Sequence, residues 1–221
     1  MSDREPSAQR RLDELQREMR ACRLCEESGF PVQGPAVFSG PASAGIMLVG
    51  QAPARIDLER GHLPWSGTGG RRLISWLTRA GFDEPMLREK QYLAALTRCF
   101  PGKHSSGKGD RPPTRAEQKL CLPYLAREIE LVKPKIIVTV GGMAATRFLG
   151  KRSLTDLVGE AHRPDAQAIR PLESAPLSDT WIVPLPHPSG ASLWLNKPAH
   201  LALVEKALEQ LSRLWQECQY E

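Results

Sequence analysis

Residues 46–70 read IMLVGQAPARIDLERGHLPWSGTGG, and this stretch decides the fold. The apolar run at 46–49 is typical of a buried strand. The residues that follow it, 50–70, contain five glycines and two prolines and are expected to form a loop. Parallel α/β sheets place their ligands in loops beyond the carboxyl ends of the strands. The stretch therefore predicts a first core strand that runs into a ligand-binding loop.

The rest of the chain continues the alternation of strands and helices. Further strands are predicted at 91–99, in KPKIIVTVG (133–141) and at 180–190, and helices at 9–21, 71–82, 143–150 and 198–217, with one more that Thr114 caps and that runs to about Leu131. Apolar strands that alternate with helices indicate a parallel sheet covered on both faces. We expect a three-layer α/β/α sandwich with a mostly parallel four-stranded sheet. It would form a single domain at 9–221 after a disordered tail at 1–8.

The composition limits the classes of protein. The formal net charge of +5 suits an anionic partner such as nucleic acid, although mild basicity alone does not identify one. No apolar run is long enough for a membrane helix, and the charged amino terminus lacks the apolar core of a signal peptide. Five cysteines without an export signal favour a reducing compartment. We therefore expect a cytoplasmic protein, in a bacterial or archaeal cell, with no membrane partner.

The cysteines are spaced as candidate metal ligands. Cys22 and Cys25 form a CxxC pair at the end of the first predicted helix, Cys99 ends the second predicted strand, and Cys121 follows the long loop. Four thiolates can hold zinc or an iron–sulfur cluster, and the spacing does not distinguish the two. Unligated buried cysteines are the alternative. Cys218 has no evident partner in the sequence and is expected to be structural or exposed.

Several motifs, in this order, resemble the uracil-DNA glycosylase superfamily, above all its small iron–sulfur members, families 4 and 5. ACRLC resembles the first cluster cysteines, and IMLVGQAPA resembles the first catalytic motif. GHLPWSG resembles the G-x-P-F-x-G segment, and LTRCFPG with PPTRAEQKLCLPYL resembles the stretch with the other two cluster cysteines. LPHPSG resembles the second catalytic motif, HPS. The resemblance covers roughly residues 11–217 and implies a [4Fe–4S] cluster on Cys22, Cys25, Cys99 and Cys121.

The resemblance also implies an activity and a set of site residues. It implies a monofunctional, monomeric DNA glycosylase that flips uracil or another deaminated base out of DNA and hydrolyses its N-glycosidic bond. His187 would donate to the departing base. Gln51 and, a few residues beyond the motif, Asp57 are candidates to handle water, although an exposed loop acid is an equal alternative for Asp57. Trp65 would stack on the flipped base. The other implied substrate-binding residues are Gly50, Ala52, Pro53, Ala95, Ser189, Gly190 and Leu193, with Leu193 as a wedge in the DNA.

Two small residues depart from the family pattern. Ala52 stands where the most active members carry Asp, and Ala95 stands where several members carry the Asn that reads uracil. These departures favour a broad range of damaged bases, as in family 5. They also leave open a protein that binds damaged nucleotides without cleaving them. A zinc-bound protein that acts on free nucleotides or small phosphates is a second alternative.

The long loop at 103–114 is expected to lie near DNA. Its Lys103, Lys108 and Arg111 could follow a phosphate backbone, although a solvated surface loop is an equal alternative. His104 lies in the same loop. One subgroup of the superfamily carries a histidine here that bonds covalently to the sugar, but the basic motif around that histidine is missing, so the role is not transferred.

Overall fold

A four-stranded parallel sheet forms the centre of the protein. The computed structural model describes residues 7–107, 109–172, 177–190 and 192–219. The strands are β1 (Ile46–Gly50), β2 (Tyr92–Ala95), β3 (Ile136–Val140) and β4 (Trp181–Leu185). They are ordered β2-β1-β3-β4, and every neighbouring pair is parallel. The predicted α/β sandwich is confirmed, and the sheet is parallel throughout.

Helices cover both faces of this sheet. They are α1 (Ala8–Ala21), α2 (Leu24–Glu27), α3 (Arg55–Glu59), α4 (Thr68–Arg79), α5 (Glu84–Lys90), α6 (Arg115–Val132), α7 (Gly142–Leu149), α8 (Leu154–Leu157), α9 (Ala166–Ile169) and α10 (Pro198–Gln219), with short 3-10 turns at Arg170–Leu172 and Leu193–Asn196. None of the helices in the described ranges is long and apolar enough to cross a membrane. Ser7 caps α1, so the helix begins at Ala8, inside the predicted tail, of which residues 1–6 lie outside the described ranges.

The two faces of the sheet build two apolar clusters. Met47 and Val49 of β1 point into a cluster with α1, α6 and α7, whereas Ile46 and Leu48 point into a cluster with α4 and α10. All of β1 is buried for this reason. Burial on both faces explains why the strands read as continuous apolar runs rather than as an alternation of apolar and polar residues.

The structure differs from the prediction in several places, among them the unpredicted helix α5, the end of the last strand at Leu185 rather than at 190, and two segments near the first two strands. The second strand ends at Ala95 rather than at residue 99, because the next segment pairs with residues 33–37. The N–H of Val37 donates to the carbonyl of Arg98 at 2.7 Å, and Gln33 and Phe100 form an antiparallel bridge. The predicted loop at 50–70 contains α3 and the first turn of α4.

The strand order places a crevice at one edge of the sheet. β2 and β3 lie on opposite sides of β1, so the direction of winding reverses between β1 and β3. In open parallel sheets, ligands bind beyond the carboxyl ends of the strands at such a reversal. The loops after β1 and β3 leave from this point, and the loop after β4 emerges at the same edge.

Candidate active site

A cleft of about 660 Å³ opens at the carboxyl ends of the strands. It brings together eight of the residues proposed from the sequence, namely Gln51, Ala52, Pro53, Asp57, Trp65, Ala95, His187 and Ser189. Gly50, Gly190 and Leu193 do not line it. Val37, Thr68 and Ser192 do line it and were missed, because no motif marks them and their neighbours in the cleft are distant in sequence.

Glycines bring three strand-end loops to the same place. A Cβ on Gly69, in the first turn of α4, would lie 3.7 Å from the backbone nitrogen of Ser189. A Cβ on Gly141, which follows β3 with φ of +91°, would lie 3.4 Å from Cβ of His187. The loop after β4 therefore packs against the loops after β1 and β3. This contact places His187 in the cleft beside the glycine-rich loop.

Asp57 joins the two halves of the loop after β1. Its Oδ2 accepts the N–H of Ala54 at 2.8 Å, and its Oδ1 accepts the N–H of Ser66 at 2.7 Å. The carboxyl group is almost fully buried, and this burial raises its pKa, although the backbone hydrogen bonds act in the opposite direction. Asp57 lines the cleft, and it also fixes the shape of the loop that carries Trp65.

Trp65 lies against the end of β1 because two glycines leave room for it. A Cβ on Gly50 would lie 2.8 Å from Cζ2 of Trp65, and a Cβ on Gly70 would overlap the carbonyl oxygen of Trp65. Trp65 itself has φ of +60°, a conformation that is uncommon for a bulky residue. Backbone strain of this kind persists only where the surroundings impose it. The indole is therefore held in a fixed position at the wall of the cleft.

His187 is held through one ring nitrogen. The backbone N–H of Ser189 donates to its Nδ1 at 3.3 Å, and the Ser189 hydroxyl lies 3.0 Å from the same atom. Burial lowers the pKa of His187, so the neutral ring is favoured. Because Nδ1 accepts a backbone hydrogen bond, the proton of the neutral ring resides on Nε2. His187 is thus a neutral hydrogen-bond donor in the wall of the cleft.

Four cysteines line a second cavity, formed by α1, α2, α6 and the segment after β2. They are Cys22, Cys25, Cys99 and Cys121. Burial, reinforced by the neighbouring thiols, raises the pKa of Cys25 to about 11 and that of Cys99 to about 12. In the described part of the chain, no three His, Cys, Asp or Glu side chains are placed to hold a metal ion. Cys218 does not line this cavity.

A buried ion pair lies beside the four cysteines. The Arg98 side chain is 2% exposed and lines their cavity, and it pairs with Glu128, which is fully buried. Arg98 Nε donates to Glu128 Oε1 at 3.2 Å, and the Tyr92 hydroxyl donates to the same oxygen at 2.9 Å. The guanidinium group of Arg98 therefore places a positive charge next to the four cysteine thiols.

The loop at 103–114 extends from the cysteine cavity to the cleft. Arg111 lines the cleft, and its Nη1 and Nη2 donate to the two carboxylate oxygens of Glu117 at 2.8 and 2.5 Å. Lys103 donates to Asp110 at 2.7 Å, so two of the three predicted phosphate-binding cations are paired within the protein. Lys108 lies outside the described residues. His104 is exposed and does not line the cleft.

The fold and this cleft define a class: a parallel α/β protein with an aromatic wall and a half-buried, neutral histidine beyond its strand ends. The family model described as the uracil DNA glycosylase superfamily matches residues 37–216. The chain belongs to this superfamily.

Individual relatives carry a more specific name. A type-4 uracil-DNA glycosylase of Archaeoglobus fulgidus is 33% identical over 135 residues, which cover 61% of this chain and 61% of the relative. A protein of the same name from Pyrobaculum aerophilum is 29% identical over 69% of this chain and 73% of its own length. Another, from Thermotoga maritima, is 30% identical over 56% of this chain and 59% of its own length. The matches to the Archaeoglobus and Thermotoga proteins thus span about three fifths of those relatives.

Proposed function

We propose that this protein is a monofunctional DNA glycosylase that hydrolyses the N-glycosidic bond of uracil, or of another deaminated base, flipped out of DNA. One observation carries the proposal: the neutral donor His187 and the aromatic wall Trp65 line a single cleft beyond the strand ends. The names of the relatives support it, since they are called type-4 uracil-DNA glycosylases. DNA is the proposed partner, and base excision repair is the proposed process.

The cleft would receive the flipped base. We propose that the base stacks on Trp65, which packs against Gly50, and rests on the backbone of Gln51, Ala52 and Pro53. Stacking on a fixed aromatic ring costs the protein little entropy, and it offsets part of the energy spent on leaving the duplex. Ala95 contributes only a methyl group to the lining and so leaves the base edge unread by a side chain at that position. This geometry favours recognition of more than one deaminated base.

Breaking the glycosidic bond leaves an electron pair on the base and a positive charge on the sugar. Nε2–H of His187 would donate to a base oxygen as the negative charge grows there, which stabilises the departing base. Asp57 and Gln51, both at the cleft, would orient the water whose oxygen bonds to C1′ of the sugar. The raised pKa of Asp57 suits a carboxylate that takes up the proton of this water and passes it to solvent.

The loop after β4 would hold the DNA around the flipped nucleotide. Ser189 lines the cleft, and we propose that a phosphate of the flipped nucleotide lies against this turn, where the N–H of the adjacent Gly190 can donate to a phosphate oxygen. Leu193 is 79% exposed, more than any other large hydrophobic side chain in the described ranges. We propose that it enters the base stack at the place that the flipped nucleotide vacates.

The four cysteines fit a [4Fe–4S] cluster as its ligands. The donor set is all thiol, which suits iron–sulfur chemistry. When bound, such a cluster supplies a cross-link between α1, α2, α6 and the segment after β2. Cys22, Cys25, Cys99 and Cys121 would hold it, and Arg98 would offset its negative charge.

We propose a reducing, cytoplasmic location, because the four cysteines of the second cavity would have to remain thiols to bind a cluster. That the protein acts as a monomer, in one domain from residue 9 onward, stays a prediction. Binding of damaged DNA without cleavage is the competing function, and it is favoured by the small side chains of Ala52 and Ala95 in the cleft.

Base release from labelled oligonucleotides tests the choice between cleavage and binding. The panel carries uracil, hypoxanthine, xanthine and thymine mismatches, with alkaline cleavage of abasic sites as the readout and a His187→Ala variant alongside. Release that depends on His187 supports the glycosylase. Retained DNA binding with no release from any lesion would identify a binding protein instead.

A further inference from the structure

Leu193 begins a 3-10 turn that is hydrogen-bonded to the loop after β4, which carries His187. The turn spans Leu193–Asn196, and the N–H of Ser192, just before it, donates to the carbonyl of Ser189 at 3.1 Å. Ser189 in turn holds His187. An exposed leucine on an unsupported turn would be displaced by the base stack that it enters, because stacked bases resist insertion by a few kcal/mol per step. The turn therefore needs a support on the side away from the DNA.

Trp194 and His200 form a contact that can supply this support. Their rings stack with centroids 4.1 Å apart and planes 19° from parallel. Nδ1 of His200 donates to the carbonyl of Trp194 at 2.7 Å, and Nε1–H of Trp194 donates to Oγ1 of Thr155 at 3.0 Å. His200 is 9% exposed and lies in the first turn of α10, the longest helix in the described ranges.

We propose that Trp194 and His200 are positioning residues that hold Leu193 ready to enter DNA. The proposal rests on the function proposed above and names how the same site handles duplex substrate. The ring stack fixes the side chain of Trp194, which directly follows Leu193. The hydrogen bond from His200 fixes the backbone carbonyl of Trp194. A turn ordered before DNA arrives does not lose conformational entropy on binding, which is the advantage of preorganisation. Only duplex DNA requires this, since an unpaired base needs no wedge.

The readout is the ratio of base release from duplex to release from single-stranded DNA of the same sequence. This ratio cancels general losses of folded protein, which lower both rates alike. His200→Ala removes the ring and the donor, and Trp194→Phe keeps a ring but removes the hydrogen bond to Thr155. His200→Asn keeps a donor near the position of Nδ1 and loses the ring. Leu201→Ala is the matched control, because Leu201 is an exposed leucine (48%) next to His200.

We expect His200→Ala and Leu193→Ala to lower the ratio about tenfold, the effect of losing the order of one or two side chains. His200→Asn and Trp194→Phe should each lower it by less than His200→Ala, and Leu201→Ala should leave it at the wild-type value. Binding should increase the fluorescence of a 2-aminopurine placed next to the lesion. This increase should be smaller in the variants, in the same order as their losses in the ratio. This signal reports flipping without chemistry.

Three outcomes separate the possible failures. If Leu193→Ala lowers the ratio and His200→Ala does not, the positioning role is wrong while the wedge stands. If Leu193→Ala leaves the ratio unchanged, both the wedge and its support are wrong, although release from single strands still supports the glycosylase. If the wild-type protein releases no base from either form, the proposed function itself fails and this inference fails with it.

Discussion

The backbone N–H of Ser189 donates to Nδ1 of His187 at 3.3 Å, and the hydroxyl of the same serine lies 3.0 Å from that nitrogen. Ser189 lies two residues after His187 in the same turn. Its N–H and hydroxyl groups fix both the orientation and the tautomer of the imidazole. The ring is buried enough that its charged form is disfavoured. Within the described ranges the ring bonds to Ser189 and to no carboxylate, so the strength of this neutral donor depends on geometry rather than on charge.

Replacing His187 should remove most of the activity. We expect His187→Ala to lower kcat for base release by about 10²–10³-fold, the usual effect of losing one donor to a developing negative charge. His187→Gln should retain part of the rate, because a glutamine amide can place a donor near the position of Nε2. Ser189→Ala is the matched control, since it keeps the backbone N–H and should cost less than His187→Ala. Equal losses in Ser189→Ala and His187→Ala would contradict this assignment.

Acid should inactivate and destabilise the protein through His187. Burial lowers its pKa below the ordinary value of 6.5, so the unfolded chain binds a proton at a higher pH than the folded protein does. The contribution of His187 to the free energy of unfolding is therefore fully present above about pH 6.5 and is lost as the pH falls through the folded pKa. We expect base release to be level above neutrality and to fall in acid.

Urea unfolding of the wild type and of His187→Gln between pH 8 and pH 5 measures this contribution. The difference between their unfolding free energies should shrink as the pH falls. A difference that stays constant would exclude His187 as its source.

The contact between Gly50 and Trp65 should set the affinity for the flipped base. Gly50→Ala would place a methyl group 2.8 Å from Cζ2 of Trp65 and displace the indole. We expect Trp65→Ala to weaken binding by about 1–3 kcal/mol, the range for one aromatic–base stack, and Gly50→Ala to act in the same direction. Trp65→Phe should retain most of the affinity. Titration of each variant, in a His187→Ala background, with uracil-containing DNA gives the binding constants.

Gly142→Ala tests whether the effect of Gly50→Ala comes from this contact. Nothing in the described ranges lies within 4 Å of a Cβ on Gly142. The control variant should therefore bind like the parent protein. If it lost as much affinity as Gly50→Ala, the contact with Trp65 would not be the cause.

The sheet could be predicted from sequence because burial on both faces leaves a clear apolar run, as at Ile46–Gly50. The carboxyl ends of parallel strands lie at one edge of the sheet. The sequence therefore allowed the prediction that the loops carrying Trp65 and His187 meet there. The link between Ala54 and Ser66 through Asp57 could not be predicted, because it needs the loop to fold back on itself. Contacts that join distant segments, such as Trp194 with Thr155, leave no periodic signal in the chain.

Serine variants of the four cysteines in the second cavity should bind less iron than a serine variant of the fifth cysteine. Serine at Cys22, Cys25, Cys99 or Cys121 should lower bound iron and the visible absorbance of the purified protein, because a hydroxyl is a poor ligand for iron–sulfur chemistry. Cys218→Ser is the control, since Cys218 lies outside the cavity, and it should bind iron like the wild type. Zinc in place of iron in the wild type, or full iron content in the Cys99 variant, would exclude the proposed ligand set.

Loss of Arg98 should strongly destabilise the protein. Arg98→Met would leave Glu128 buried and without its cation, and removing one partner of a buried pair costs about 3–5 kcal/mol of stability. Arg213→Ala is a control of the opposite kind, since the Arg213–Glu217 pair is about half exposed and should be worth less than about 1 kcal/mol. The double variant Arg98→Met, Glu128→Leu should recover much of the stability, because it leaves no unpaired charge in the core.

Chemical denaturation of the protein, both as purified and after removal of iron, distinguishes two contributions of Arg98. If Arg98 acts only through Glu128, Arg98→Met should cost the same in both forms, and the double variant should differ from the wild type by the same amount in both. If Arg98 also offsets the charge of the iron-bound thiolates, the double variant should remain less stable than the wild type in the iron-bound form alone. An Arg98→Met variant that unfolds at the same denaturant concentration as Arg213→Ala would contradict both contributions.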